Sequence, residues 1–156
     1  MPPEVPARSA SRYAGHYAQC ADPHRLLEIF TDSHTIALTS KNPDTARGRF
    51  DLAVELYHQL VSLHVPPSLR SSLQDAMVAL TTRFPSQVCI NEATGLREKA
   101  RKLRTARRTL EFLNRAREVL QAGLTKTLNG PSGIQSMYDE VLSEIAQTEA
   151  LMVKRS

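Results

Sequence analysis

The 156-residue sequence contains no tryptophan, four phenylalanines, four tyrosines and six glycines. It also lacks long runs that alternate Val, Ile, Thr or Tyr with polar residues, and this argues against a sizeable β-sheet. The two cysteines, Cys20 and Cys89, are too few for a disulfide framework. No apolar run reaches the roughly 18 residues of a membrane span, so no membrane partner is expected. The opening Met-Pro-Pro-Glu-Val-Pro has no apolar stretch of the secretory kind, which makes the cytoplasm the expected compartment. The last turn is polar, as would also suit a piece of a longer protein. Catalytic signatures are missing as well. There is no Gly-x-Ser-x-Gly elbow, no phosphate-binding glycine loop, no His-Glu-x-x-His and no Cys-x-x-Cys. No cofactor and no small-molecule ligand are expected.

Leu, Ala, Arg and Glu dominate what remains, and these are good helix formers. A content of 41% hydrophobic and 23% charged residues is that of a globular chain, not of a disordered one. The expected fold is therefore all-α, an antiparallel helical bundle. Four proline-containing signals punctuate it. Asp22-Pro23 and Asn42-Pro43 each place a capping side chain before a proline at the first helical position. Pro66-Pro67-Ser68 separates one helix from the next, and Phe84-Pro85 reads as a stop. The residues predict a loose tail at 1–8 and a short helix at 9–21 with Tyr13, Tyr17 and Cys20 on one side. Further helices are predicted at about 23–40, 44–64 and 69–83. Together, 9–88 form an N-terminal helical cluster, and 91–156 form a hairpin continuous with the same core.

That hairpin opens with a long heptad-patterned helix at about 91–124, followed by an exit turn within 125–131. Ser132-x-x-Gln135 reads as a capping box at the start of a shorter C-terminal helix packed back on the long one. The long helix has two faces. Leu96, Leu103, Leu110 and Leu124 make one row of a seam, and Ala106, Leu113 and Leu120 make the other. Lys99 and Arg117 interrupt it. Nearly opposite stand Arg97, Arg101, Arg104, Arg108 and Arg115, within about 60° of one another at roughly 100° per residue. At about 50 Å this helix exceeds the roughly 40 Å expected of a compact domain of this size. A coiled-coil partner is therefore expected: the last helix, another protein, or a second copy of the chain in a dimer.

The charge is uneven in the same place. Residues 1–90 hold eight basic and eight acidic residues, 91–126 hold ten and four, and 127–156 hold two and four. The positive excess lies on the long helix. Two uses follow. The leading expectation is a non-enzymatic interaction or scaffolding module that works through the coiled-coil-like region. The alternative is nucleic-acid binding, with the five arginines, broadened by Lys99, Lys102 and Arg107, contacting phosphates without reading sequence; the same row also suits an acidic protein partner or another anionic surface. Against both stands neutralisation by Asp139, Glu140, Glu144 and Glu149, which a hairpin would bring alongside.

The lowest-ranked reading is a metal site or enzyme within the bundle. His16, Cys20 and His24 have ligand spacing, but Pro23 breaks the helix they would need. Glu55-x-x-His58, with Asp51, is half of a carboxylate-bridged metal motif that has no second half in the chain. Cys89, between Val88 and Ile90, reads as a small core residue. Ala46 and Phe50 match one piece of the tetratricopeptide pattern. Its tryptophan, its Leu-Gly pair and a second copy are absent, so no repeat array is expected.

Overall fold

The computed structural model describes residues 22–126 and 132–155. Among them the chain is all-α: α1 (Pro23–Thr39), α2 (Pro43–Ser62), α3 (Pro67–Arg101), α4 (Ala106–Lys126) and α5 (Ser132–Arg155), packed antiparallel with no strand. The tail at 1–8, the expected helix at 9–21 with His16 and Cys20, and the turn at 127–131 lie outside the described residues, as does the side chain of Ser132. The described residues fall into two compact units, 22–40 with 44–84, and 41–43 with 85 onward.

In the first unit, α1 starts as its sequence predicts. The Asp22 carboxylate accepts from the His24 backbone N–H at 3.0 Å, and Pro23 occupies the first turn. Its buried face is Leu26, Ile29, Phe30, Ser33, Ala37 and Leu38, a spacing of three and four residues. α2 buries Ala46, Leu52, Ala53, Leu56 and Leu60. The first half of α3 adds Leu73, Met77, Leu80 and Phe84. Phe84 stacks on Phe50 with ring centroids 4.4 Å apart, and His34 Nε2 lies 3.1 Å from the Ala76 carbonyl oxygen.

The long helix differs from expectation at both ends. Phe84-Pro85 does not stop it, and α3 runs for 35 residues with Pro85 inside. A proline there removes one backbone hydrogen bond and disfavours the helix by about 3 kcal/mol. Burial of Phe84, Ser86 and Val88 on either side holds the turn in place. The expected single helix over 91–124 is broken instead at 102–105. There the N–H groups of Lys102 and Leu103 close tight turns onto the carbonyls of Lys99 and Ala100, each at 3.2 Å. The Thr109 hydroxyl donates to the Ala100 carbonyl at 3.3 Å, satisfying an acceptor at the α3 end. The Thr105 hydroxyl then caps α4 through a long 3.4 Å bond from the Arg108 N–H.

The break lets the seam fold on itself. The second half of α3, α4 and α5 make a three-helix unit with buried Ala93, Ala100, Leu113, Ala116, Leu120, Ile134, Val141 and Ile145. The C-terminal helix does pack back on the helix before it. At 24 residues, however, it is longer than the 21-residue α4. The small residues of α3 and α4 allow close approach. A Cβ at Gly123 would stand 2.9 Å from Cys89 Sγ, nearer than packed atoms approach.

Candidate functional site

The seam residues are used within the second unit. Leu113 and Leu120 are buried in its core, and Leu96, Leu110 and Leu124 pack against it half-buried. Leu103 and Ala106 are half-buried in and just after the 102–105 turn. Burying this stripe against two neighbouring helices removes more apolar area from water than a two-stranded seam would. Such burial favours the break in the helix.

The arginine row is divided by the same break. Arg97, on α3, is drawn inward, its side chain 11% exposed. It donates through Nε to Glu144 at 2.7 Å and through Nη2 to Glu140 at 3.2 Å. Arg101 is exposed, but reaches Glu144 at 3.3 Å. Arg115 sits on α4 with its guanidinium 5.1 Å from the Phe112 ring centroid, a cation–π arrangement. Arg104 is in the turn and Arg108 in the first turn of α4, both exposed. The five therefore do not form one ridge. Arg97 and Arg101 meet the acidic face of α5, while Arg104 and Arg108 remain at the end of the unit.

Around those two, Lys99, Lys102 and Arg107 are also exposed. The Thr109–Ala100 bond holds the two sides of the turn together, so these cations share one tip. Among the described residues, none of Lys99, Arg104, Arg107 and Arg108 forms an ion pair. Glu98 is the last carboxylate along α3. It accepts from Lys41 Nζ at 2.7 Å. That hydrogen bond is the largest influence holding the Glu98 carboxyl below the ordinary carboxylate value. Desolvation opposes it, and the charges of Lys41, Lys102 and Arg101 assist it.

The cations of this tip are placed against helix electrostatics on one side. Lys99 and Arg101 lie in the last turn of α3, where the macrodipole favours positive charge. Arg107 and Arg108 lie in the first turn of α4, where it favours negative charge, and that turn has no acidic residue. Each such placement costs about 0.3–1 kcal/mol. A local cost left uncompensated within a fold marks a position under another demand.

The other candidate groups do not converge. Glu55 and His58 are exposed on α2, with the His58 ring edge-on to Tyr57. Cys89 is half-buried beside Gly123. Among the described residues no group of three His, Cys, Asp or Glu side chains is placed to hold a metal ion, and no helix is long and apolar enough to cross a membrane. The arginines and leucines were legible in the sequence. Thr105 as a cap was missed, although a threonine before Ala106-Arg107-Arg108 is itself a helix-start signal. Comparison with family models, with characterised proteins and with solved structures gives no match.

Proposed function

We propose that this chain is a non-enzymatic helical interaction module that binds an acidic protein partner through the basic end of its second unit. The contact surface is Lys99, Lys102, Arg104, Arg107 and Arg108, with Arg101 at its edge. One observation carries the reading. Exposed arginines without carboxylate partners occupy the first turn of α4, where helix stability alone would select acidic residues. Most of the leucine seam is taken up inside the unit, where Leu96, Leu110, Leu113, Leu120 and Leu124 pack in or against its core.

A second reading, nucleic-acid phosphates as the partner, has the density of cations across the turn in its favour. The two readings separate by ligand and by salt. Fluorescence anisotropy with labelled polyglutamate and with mixed-sequence duplex DNA, at about 50 and 200 mM salt, tests both. The acidic-protein reading expects polyglutamate binding that is abolished by Arg104→Glu with Arg108→Glu. Binding to duplex alone, with a log–log salt slope near −0.9 per phosphate neutralised, transfers the surface to nucleic acid. Binding of neither probe removes the basic end as a contact surface.

A further inference from the structure

The basic end has an apolar neighbour. Leu151 is 50% exposed, Met152 38% and Val153 74%. They lie on α5 near its C-terminus, and the register of the second unit explains why they are uncovered. α3 and α5 run side by side in the same direction. Thr94 Oγ1 meets Met137 Sδ at 3.9 Å, and Arg97 and Arg101 both reach Glu144. The last residue of α3 is thus level with about Glu144, and α5 continues some 15 Å farther at 1.5 Å per residue. Leu151 is two helical turns beyond Glu144 on the same face of α5, where α3 has already ended. α4 runs antiparallel to α5, with Gly123 against Ile134. That register brings Ala106, the first residue of α4, level with about Leu151. Met152 prolongs the inward stripe of Ile134, Val141 and Ile145 past the point where α4 begins.

The α3–α4 turn and the end of α5 therefore make one surface. Exposed Leu151 and Met152 and half-buried Leu103 and Ala106 are its apolar members. Lys99, Lys102, Arg104, Arg107, Arg108 and Lys154, all exposed, occupy the same end of the unit. Apolar and charged side chains on one surface suit a protein–protein contact. Phosphate backbone would leave the leucine and methionine uncovered. The Trp and Tyr that are enriched at bilayer interfaces do not occur in residues 99–108 or 145–155.

We propose that this end of the second unit docks an acidic protein segment that also carries apolar side chains, which cover Leu151 and Met152 while its carboxylates pair with the cations of the same end. The proposal rests on the reading of the basic end as the contact surface, and it adds the partner's apolar component.

The test uses the full chain and four probes: a helical peptide with leucine at its a and d positions and glutamate elsewhere, polyglutamate of equal charge, mixed-sequence duplex DNA, and phosphatidylserine vesicles. The peptide is expected to bind at least about tenfold more tightly than polyglutamate. Leu151→Ser with Met152→Ser is expected to erase that excess while leaving polyglutamate affinity and the melting temperature unchanged. Equal affinity for peptide and polyglutamate, or an excess that survives the double substitution, overturns the apolar component and leaves the basic-end reading standing. Preference for duplex DNA, or vesicle binding lost on the same substitutions, assigns the surface to another class of partner. Binding of no acidic probe at low salt removes both the proposal and the reading beneath it.

Discussion

The first unit buries two phenylalanines, Phe30 and Phe84, among leucines and isoleucine. Among the described residues the second unit buries none, and packs alanines against Leu113, Leu120, Ile134, Val141 and Ile145. Their charges differ as sharply. The described residues of the first unit carry seven acidic and five basic side chains, and those of the second carry eight and thirteen. The second unit also spends part of its charge internally, on the Arg97–Glu140, Arg97–Glu144, Arg101–Glu144 and Lys41–Glu98 pairs. In the first unit the Arg25–Glu28 contact is a long, exposed one at 3.8 Å, of a kind that contributes little. The contrast teaches that a basic excess is not by itself a binding surface. Within the arginine row, Arg97 and Arg101 pair with α5 and Arg115 lies beside Phe112, while Arg104 and Arg108 at the α3–α4 turn form no ion pair among the described residues.

Truncation of a fully buried leucine in each unit makes the largest change, because core architecture dominates both. Leu56→Ala and Leu120→Ala each remove a side chain with no solvent exposure and should each destabilise by about 3 kcal/mol, measured by urea unfolding. A markedly smaller loss for Leu120→Ala would show that the alanine-rich core of the second unit collapses around the cavity more readily than the leucine core of the first.

Arg97→Ala comes next, at about 2 kcal/mol. It removes the shortest ion pair of Glu144, which is largely buried against the bundle, and leaves that carboxylate only the longer 3.3 Å contact from exposed Arg101. Arg104→Ala, at an exposed position of the turn, should stay within about 0.5 kcal/mol. Equal effects for the two arginines would dissolve the distinction between spent and available charge.

Gly123→Ala and Gly133→Ala then sharpen the account of close packing. At Gly123 the new methyl meets Cys89 Sγ at 2.9 Å and Cys89 Cβ at 3.2 Å, and the Cβ is fixed to the helix backbone. Overpacking there should outweigh the gain in helix propensity and destabilise by about 1 kcal/mol. At Gly133 the neighbour is the mobile end of Ile90, at 3.2 Å, and the position is exposed. The propensity gain should therefore prevail by a few tenths of a kcal/mol, about 0.3–0.8. Thermal melts of the two variants should shift in opposite directions.

The smallest effect is electrostatic. Lys41 holds the Glu98 carboxyl below its ordinary value, so the folded state favours the ionised form. The contribution is present above the unfolded-state pKa and is lost as pH falls through the depressed folded-state value. The stability difference between the native chain and Glu98→Gln should therefore close on acidification through that window. A difference that persists below it would place the contribution in packing and not in charge.

Much of this architecture was legible in the residues, and the exceptions share a cause. Asp22-Pro23 and Asn42-Pro43 announce α1 and α2 through local chemistry that tertiary structure does not alter. Pro85 misleads because packing on both sides of it, by Phe84 and Val88, outweighs a local preference. The break at 102–105 is hidden because it contains neither glycine nor proline, and the leucine heptad passes through it without losing phase. What ends α3 is a set of threonine hydroxyl bonds, from Thr105 and Thr109, together with the larger apolar burial available to a three-helix unit. The candidate surface follows the same rule. The cations could be counted in the sequence, but the pairing of Arg97 and the uncovering of Leu151 depend on the register of α5 against α3.

The central claim is that Arg104 and Arg108 stand where they do for a partner and at the expense of the fold. The variant Arg104→Glu with Arg108→Glu tests it most directly, by melting temperature and polyglutamate affinity measured side by side. Arg108→Glu would complete a Thr-x-x-Glu capping box on Thr105, and both changes suit the helix dipole. The account predicts a chain at least as stable as the native one that no longer binds the acidic probe. A chain that loses stability, or one that keeps its affinity, would contradict it.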